Sequence, residues 1–151
     1  MKVIFIFLAF ISSYSLAAQD ESNRLKNFNV KKSLAIDGYD PVSFFDGEPL
    51  EGESNISSKY KGITYYFSTE ANKAKFDNNP SAFEPQYGGW CAYAVGESAE
   101  KVKVDPETYK IIDSKLYLFY NFWGTNTLEL WNKKETELHK SANSNWKKIS
   151  Q

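Results

Sequence analysis

The chain has 151 residues, of which 18 are basic and 19 acidic, for a formal charge of −1. A balance this near to neutral argues against a nucleic-acid partner, which a basic excess would mark. The single cysteine leaves no internal disulfide, so the core must rest on the aromatic residues that form 17% of the chain.

The N-terminal stretch MKVIFIFLAFISSYSLAA carries one positive charge, an apolar run from Val3 to Ile11, and small residues at Ala17 and Ala18. That layout predicts a signal peptide over residues 1–18, and the apolar run is too short to span a bilayer. The expected product is periplasmic or secreted, without a stable membrane anchor after cleavage. The remaining length suits one compact domain.

Residues 19–33, QDESNRLKNFNVKKS, are polar and unpatterned, and they predict a mobile lead-in docked through Phe28 and Val30. A single domain is expected over 34–150. Gly38, Pro41, Gly47 and Pro49 mark turns, with PVSFF between them predicted as a short strand. SSKYKGITYYFS predicts a hairpin turning at Lys61 and Gly62. Ser68 or Thr69 then caps a helix through EANKAKFDNN, and Pro80 opens another helical turn.

QYGGWCAYAVG is predicted as a strand, with Cys91, Tyr93 and Val95 on one face and Trp90, Ala92 and Ala94 on the other. DPETYKIIDSKLYLFYN predicts a second hairpin, turning at Asp113 and Ser114. A helix is expected from Thr127 to Ala142, capped near Thr125 or Asn126, with Leu128, Trp131, Leu138 and Ala142 as its buried stripe.

Cys91 has two readings: a reactive thiol beside the Gly88-Gly89 pair, or a small buried hydrophobe. No C-x-x-C supplies a second sulfur for disulfide exchange. His139 falls at the margin of the last helix's apolar stripe, and Glu135 lies nearer its centre, where burial would require a partner. Gly88-Gly89 lacks the helix start of a phosphate loop and reads as a tight turn. Tyr60, Tyr65, Tyr66, Tyr87, Trp90 and Tyr93 would line a pocket or fill a sheet core. Asp37 and Asp40 sit in a turn-rich segment, where carboxylates cap backbone amides. No Ser-His-Asp constellation can be assembled around the one histidine.

Taken in order, GYDPVSFFDGEP, YKGITYYFSTEANKAKFDNNPSAFEPQYGGWCAYAV, KIIDSKLYLFYN and a terminal NW resemble the exported branch of the YHS-domain proteins. The core of the resemblance covers about residues 38–90. It implies an α+β fold: a small antiparallel sheet, a short helical arm and a C-terminal amphipathic helix. It also implies a metal, copper or another transition metal. Metal-linked members place a cysteine where this chain has Ser43, a histidine at Tyr66, and cysteines at Ser68 and Asn72. With those ligands absent, a metal would be left with Cys91 and His139, short of the three or four soft ligands such ions take. The expectation is therefore a non-catalytic binding module for a metal ion or small ligand, with Cys91, Tyr66, Ser68, Trp90 and Tyr87 as candidate ligand-binding residues. The alternatives are a thiol enzyme or redox sensor using Cys91, and a structural or partner-binding domain.

Overall fold

The structure is a computed structural model that describes residues 17–151. Most of the predicted signal peptide, residues 1–16, lies outside that range.

Phe28 and Val30 pack against the core as predicted, but residues 17–27 belong to a docked helix, α1, in place of the expected mobile lead-in. Its anchors are polar, which is why no apolar stripe announces it. Arg24 pairs with Glu84 and lies 4.3 Å over the Phe28 ring. Asn27 is buried and donates to the Ser150 carbonyl at 3.0 Å, so α1 is tied to the residues that follow the last helix.

Two short strands follow, β1 (Val30–Lys31) and β2 (Leu34–Ala35), then the long hairpin β3 (Glu53–Tyr60) and β4 (Ile63–Phe67). They form one sheet in the order β1-β2-β4-β3, antiparallel except where Leu34 pairs with Thr64 in parallel. Lys61 and Gly62 turn the hairpin with positive φ at both positions, the geometry that matches strand twist.

PVSFF is not a strand. Ser43–Asp46 form a 3-10 turn, because Asp40 Oδ1 accepts the Val42 N–H at 2.9 Å and the Ser43 hydroxyl donates to the Asp40 carbonyl at 2.8 Å. Local side-chain bonds of this kind compete successfully with a sheet ladder.

Thr69 caps α2 (Glu70–Asn78) by accepting the Asn72 N–H, and α3 (Pro80–Phe83) starts on its proline, both as expected. The predicted strand at QYGGWCAYAVG is overturned. Gln86–Gly89 form a 3-10 turn, Cys91 makes one parallel bridge to Leu118, and Ala92–Ser98 form helix α4. Small residues that alternate as a strand also satisfy helical spacing: Ala92, Val95 and Gly96 are buried on one face.

The second hairpin, β5 (Asp105–Ile112) with β6 (Lys115–Phe119), turns at Asp113 and Ser114 as predicted. A small third hairpin follows, β7 (Asn121–Phe122) and β8 (Thr125–Asn126). In place of one final helix there are two, α5 (Thr127–Lys133), capped by the Asn126 side chain, and α6 (Glu135–Ile149), divided at Lys134.

Strand β6 organises the interior because both of its faces are buried. Leu116 and Leu118 join Ile63, Tyr65, Phe67, Phe44 and Phe76 in a core under the first sheet. Tyr117 and Phe119 point the other way, into a second core with Trp131, Val95, Leu138 and Ala142 between α4, α5 and α6. The α+β class holds, with α6 as the amphipathic C-terminal helix.

Candidate functional site

The turn Gln86–Gly89 lies between the two cores and opens onto a cleft of about 480 Å³. The rings of Phe28, Tyr87 and Trp146 line it, with Lys115, Lys147, Asn143 and Glu84, the last paired with Arg24. Tyr87 and Gly88 both sit in the left-handed backbone region, at φ 55° and 60°. For tyrosine that conformation costs about 1–2 kcal/mol, so the turn is held by its surroundings.

Those surroundings are specific. Asn29 donates its backbone N–H to the Gly88 carbonyl and its side chain to the Gly89 carbonyl, at 2.8 and 3.0 Å. The Trp90 indole N–H reaches the Asn27 carbonyl at 2.6 Å. Tyr87 donates to Asn143 Oδ1 at 3.0 Å, and burial, then the Tyr117 phenol, pushes its own phenol well up, so it stays a neutral donor. A Cβ on Gly88 would stand 2.8 Å from Phe28 Cδ1 and 3.0 Å from Trp146 Cη2, so glycine lets the two rings close over the turn.

The five candidate ligand-binding residues do not converge. Tyr87 lines the cleft, whereas Trp90 packs beside it without lining it. Tyr66 faces a separate recess with Lys31, Lys32, Leu34 and Asp37. Cys91 is fully buried, its sulfur 3.3 Å from Thr127 Oγ1 and 3.4 Å from the Tyr120 N–H that donates to it. His139 Nε2 meets the Tyr117 hydroxyl at 2.9 Å, among the rings of Tyr117 and Trp131. Cys91 and His139 thus serve different partners. Among the described residues, no three His, Cys, Asp or Glu side chains are grouped to hold a metal ion.

Ser68 belongs to another arrangement, centred on the fully buried Asp40. Asp40 Oδ2 accepts the Ser68 N–H at 2.9 Å, the Ser68 hydroxyl at 2.7 Å and Asn72 Nδ2 at 2.7 Å. Oδ1 takes the Val42 N–H, and the Ser43 hydroxyl accepts the Leu50 N–H at 2.9 Å. One carboxylate therefore ties the Pro41 turn to the end of β4 and the start of α2.

The sequence model of the YHS domain matches residues 41–87, which run from this turn to the cleft. Residues 41–87 of the chain are a YHS domain. No curated protein and no solved structure matches it.

The YHS match sharpens the question of a metal. The positions where metal-linked YHS domains carry soft ligands are Ser43, Tyr66, Ser68 and Asn72. Three of them surround Asp40 and aim hydrogen-bond donors at it or its carbonyl. The carboxylate already takes four N–H and O–H donors, and the hydroxyl and amide groups that stand in for the soft ligands are poor ligands for copper or zinc. The YHS positions of this chain do not fit a metal.

Sequence reasoning missed Phe28, Trp146, Lys115, Lys147 and Asn143 as cleft residues. Trp146 had a signal: it stands four residues beyond Ala142, which stands four beyond Leu138, so it extends the same helical stripe.

Proposed function

We propose that this YHS-domain protein is an exported, non-catalytic binding module that takes a small organic anion into the Phe28–Tyr87–Trp146 cleft. The apolar run Val3–Ile11 with small residues after it supports export. The observation that carries the binding role is the cleft itself. About 480 Å³ falls within the 300–1,000 Å³ typical of small-molecule sites. Three rings offer a flat apolar group stacking surfaces, and Lys115 and Lys147 offer a negative group its counter-charge. Neither lysine is held in an ion pair among the described residues.

The competing reading, a thiol enzyme or redox sensor, needs the Cys91 sulfur to meet substrate or oxidant. Burial and the hydrogen bond to Thr127 weigh against it.

Thermal unfolding with 4-hydroxybenzoate, phenyl phosphate and uncharged phenol as probes tests the proposal. The anionic aromatics should raise Tm with concentration, phenol less, and Lys115→Ala/Lys147→Ala should erase the difference. If no probe raises Tm at millimolar concentration, the cleft is not a site for this class. Export is checked separately, by cell fractionation and N-terminal sequencing of the product.

A further inference from the structure

The third hairpin ends in a feature that the fold does not use. Trp123 is 93% exposed and Phe122 41% exposed, and their rings lie 6.1 Å apart at the tip of β7–β8. Tyr120 lies against both, its ring edge-on to Phe122 at 5.2 Å and tilted to Trp123 at 6.4 Å. Trp123 and Gly124 form the two-residue turn with φ of 50° and 80°. Asn, Asp or Gly is the ordinary occupant of that first position, since their side chains tolerate it. Tryptophan there adds backbone strain and exposed apolar area together, and joins neither core.

The tip is also free of charge. Between Lys115 and Glu129 no residue is acidic or basic, in a chain that is 25% charged. Asn121, Thr125 and Asn126 supply uncharged polar flanks to the aromatic point.

We propose that the Phe122–Trp123 tip inserts reversibly into the interfacial layer of a lipid bilayer. Two side chains present roughly 200–350 Å² of surface. A stable protein partner or second copy needs about 800 Å² from each side, which this narrow hairpin does not offer. A bilayer surface has no such minimum. Tryptophan and tyrosine favour the headgroup region, where an apolar ring and a polar N–H or O–H are both satisfied. The contact is peripheral, for among the described residues no helix is long and apolar enough to cross a membrane. An uncharged tip gains nothing from anionic lipid, so binding should be indifferent to headgroup charge and to salt.

The test compares the full chain with Trp123→Ala, which share residues 1–18, on phosphatidylcholine vesicles with and without phosphatidylglycerol. Expected for the parent are a blue-shifted emission and quenching by a nitroxide near the headgroup, unchanged by 0.5 M salt (a concentration beyond the range of exposed charges). The variant should lose the shift and bind at least tenfold more weakly while keeping its Tm, because Trp123 makes no core contact. Equal vesicle binding by parent and variant overturns the proposal. So does burial of Trp123 without lipid in a concentration-dependent dimer, which would make the tip a self-contact.

Discussion

Ser68 donates twice to one oxygen of Asp40: its hydroxyl at 2.7 Å and its backbone N–H at 2.9 Å both reach Oδ2. Asn72 adds a third bond to that atom and Val42 occupies the other oxygen. Removing the carboxylate strands two buried donors, from Val42 and Asn72, and two from half-buried Ser68, each buried one costing about 1–3 kcal/mol when unpaired, less whatever relaxation recovers. Asp40→Ala should therefore destabilise by about 3–4 kcal/mol in urea unfolding. Asp40→Asn keeps an acceptor for Ser68 and Asn72 and opposes only the Val42 N–H, so about 2 kcal/mol is expected. An Asn variant as damaging as the Ala variant would show that the carboxylate matters for some reason other than its acceptors.

Cys91 should behave as a core residue. Its sulfur is sealed under Thr127 and the Tyr120 amide, next to Leu118. Native protein should give no rapid thiol release with a chromogenic disulfide at pH 8, and one thiol per chain in denaturant. Any native reaction should be slow and set by local opening. Rapid stoichiometric reaction of folded protein would reinstate the redox reading.

What the sequence made legible was local. Both long hairpins could be placed because Lys61-Gly62 and Asp113-Ser114 carry turn chemistry within two residues. The cap could be narrowed to Ser68 or Thr69, and Thr69 holds it because its partner Asn72 is three residues on. Asp40 was readable as an amide cap, and Val42 meets it; its bonds to Ser68 and Asn72, 28 and 32 residues away, were not. The cleft is built from separations of that kind throughout. Asn29 reaches Gly89 across 60 residues, and Tyr87 reaches Asn143 across 56. Helix α1 escaped notice for the same reason, since Arg24 and Asn27 find their partners only in the folded chain. YHS similarity added the order of elements, but at Ser43, Ser68 and Asn72 its metal chemistry had been replaced by hydrogen bonding.

The stability of the second core should weaken in acid through Glu135. Hydrogen bonding from Lys110, then its charge and the Trp131 indole, holds the Glu135 carboxyl below the usual carboxylate range despite some desolvation. A carboxyl depressed in the folded state stabilises above its unfolded value, near pH 4.3, and that contribution is lost as pH falls through the folded value. Asp77, depressed by hydrogen bonds from Lys73 and Ser58, adds to the same limb. Urea midpoints read by tryptophan fluorescence should thus decline from about pH 5 downward. Lys110→Met should flatten part of that decline by lowering the plateau above it. Parallel pH curves for the variant and the parent would remove Glu135 from the account.

Helix α4 meets α6 closely at Gly96, where a Cβ would stand 2.7 Å from the Leu138 carbonyl oxygen. Two effects oppose each other in Gly96→Ala. Alanine favours the helix by about 1 kcal/mol, while overpacking a close contact costs about 1–3 kcal/mol. The obstructing atom is backbone, so no rotamer change relieves it, and the helices must separate. They are also pinned by Asn145, which donates to the Val95 carbonyl at 2.9 Å. The cost should therefore win, giving a net loss of about 1–2 kcal/mol and a lower urea midpoint. Leu138→Ala should fail to rescue it, because that change removes side chain and leaves the carbonyl in place. Rescue in the double variant would mean that the contact is made by the leucine side chain, and that α4 and α6 are spaced by packing and not by their backbones.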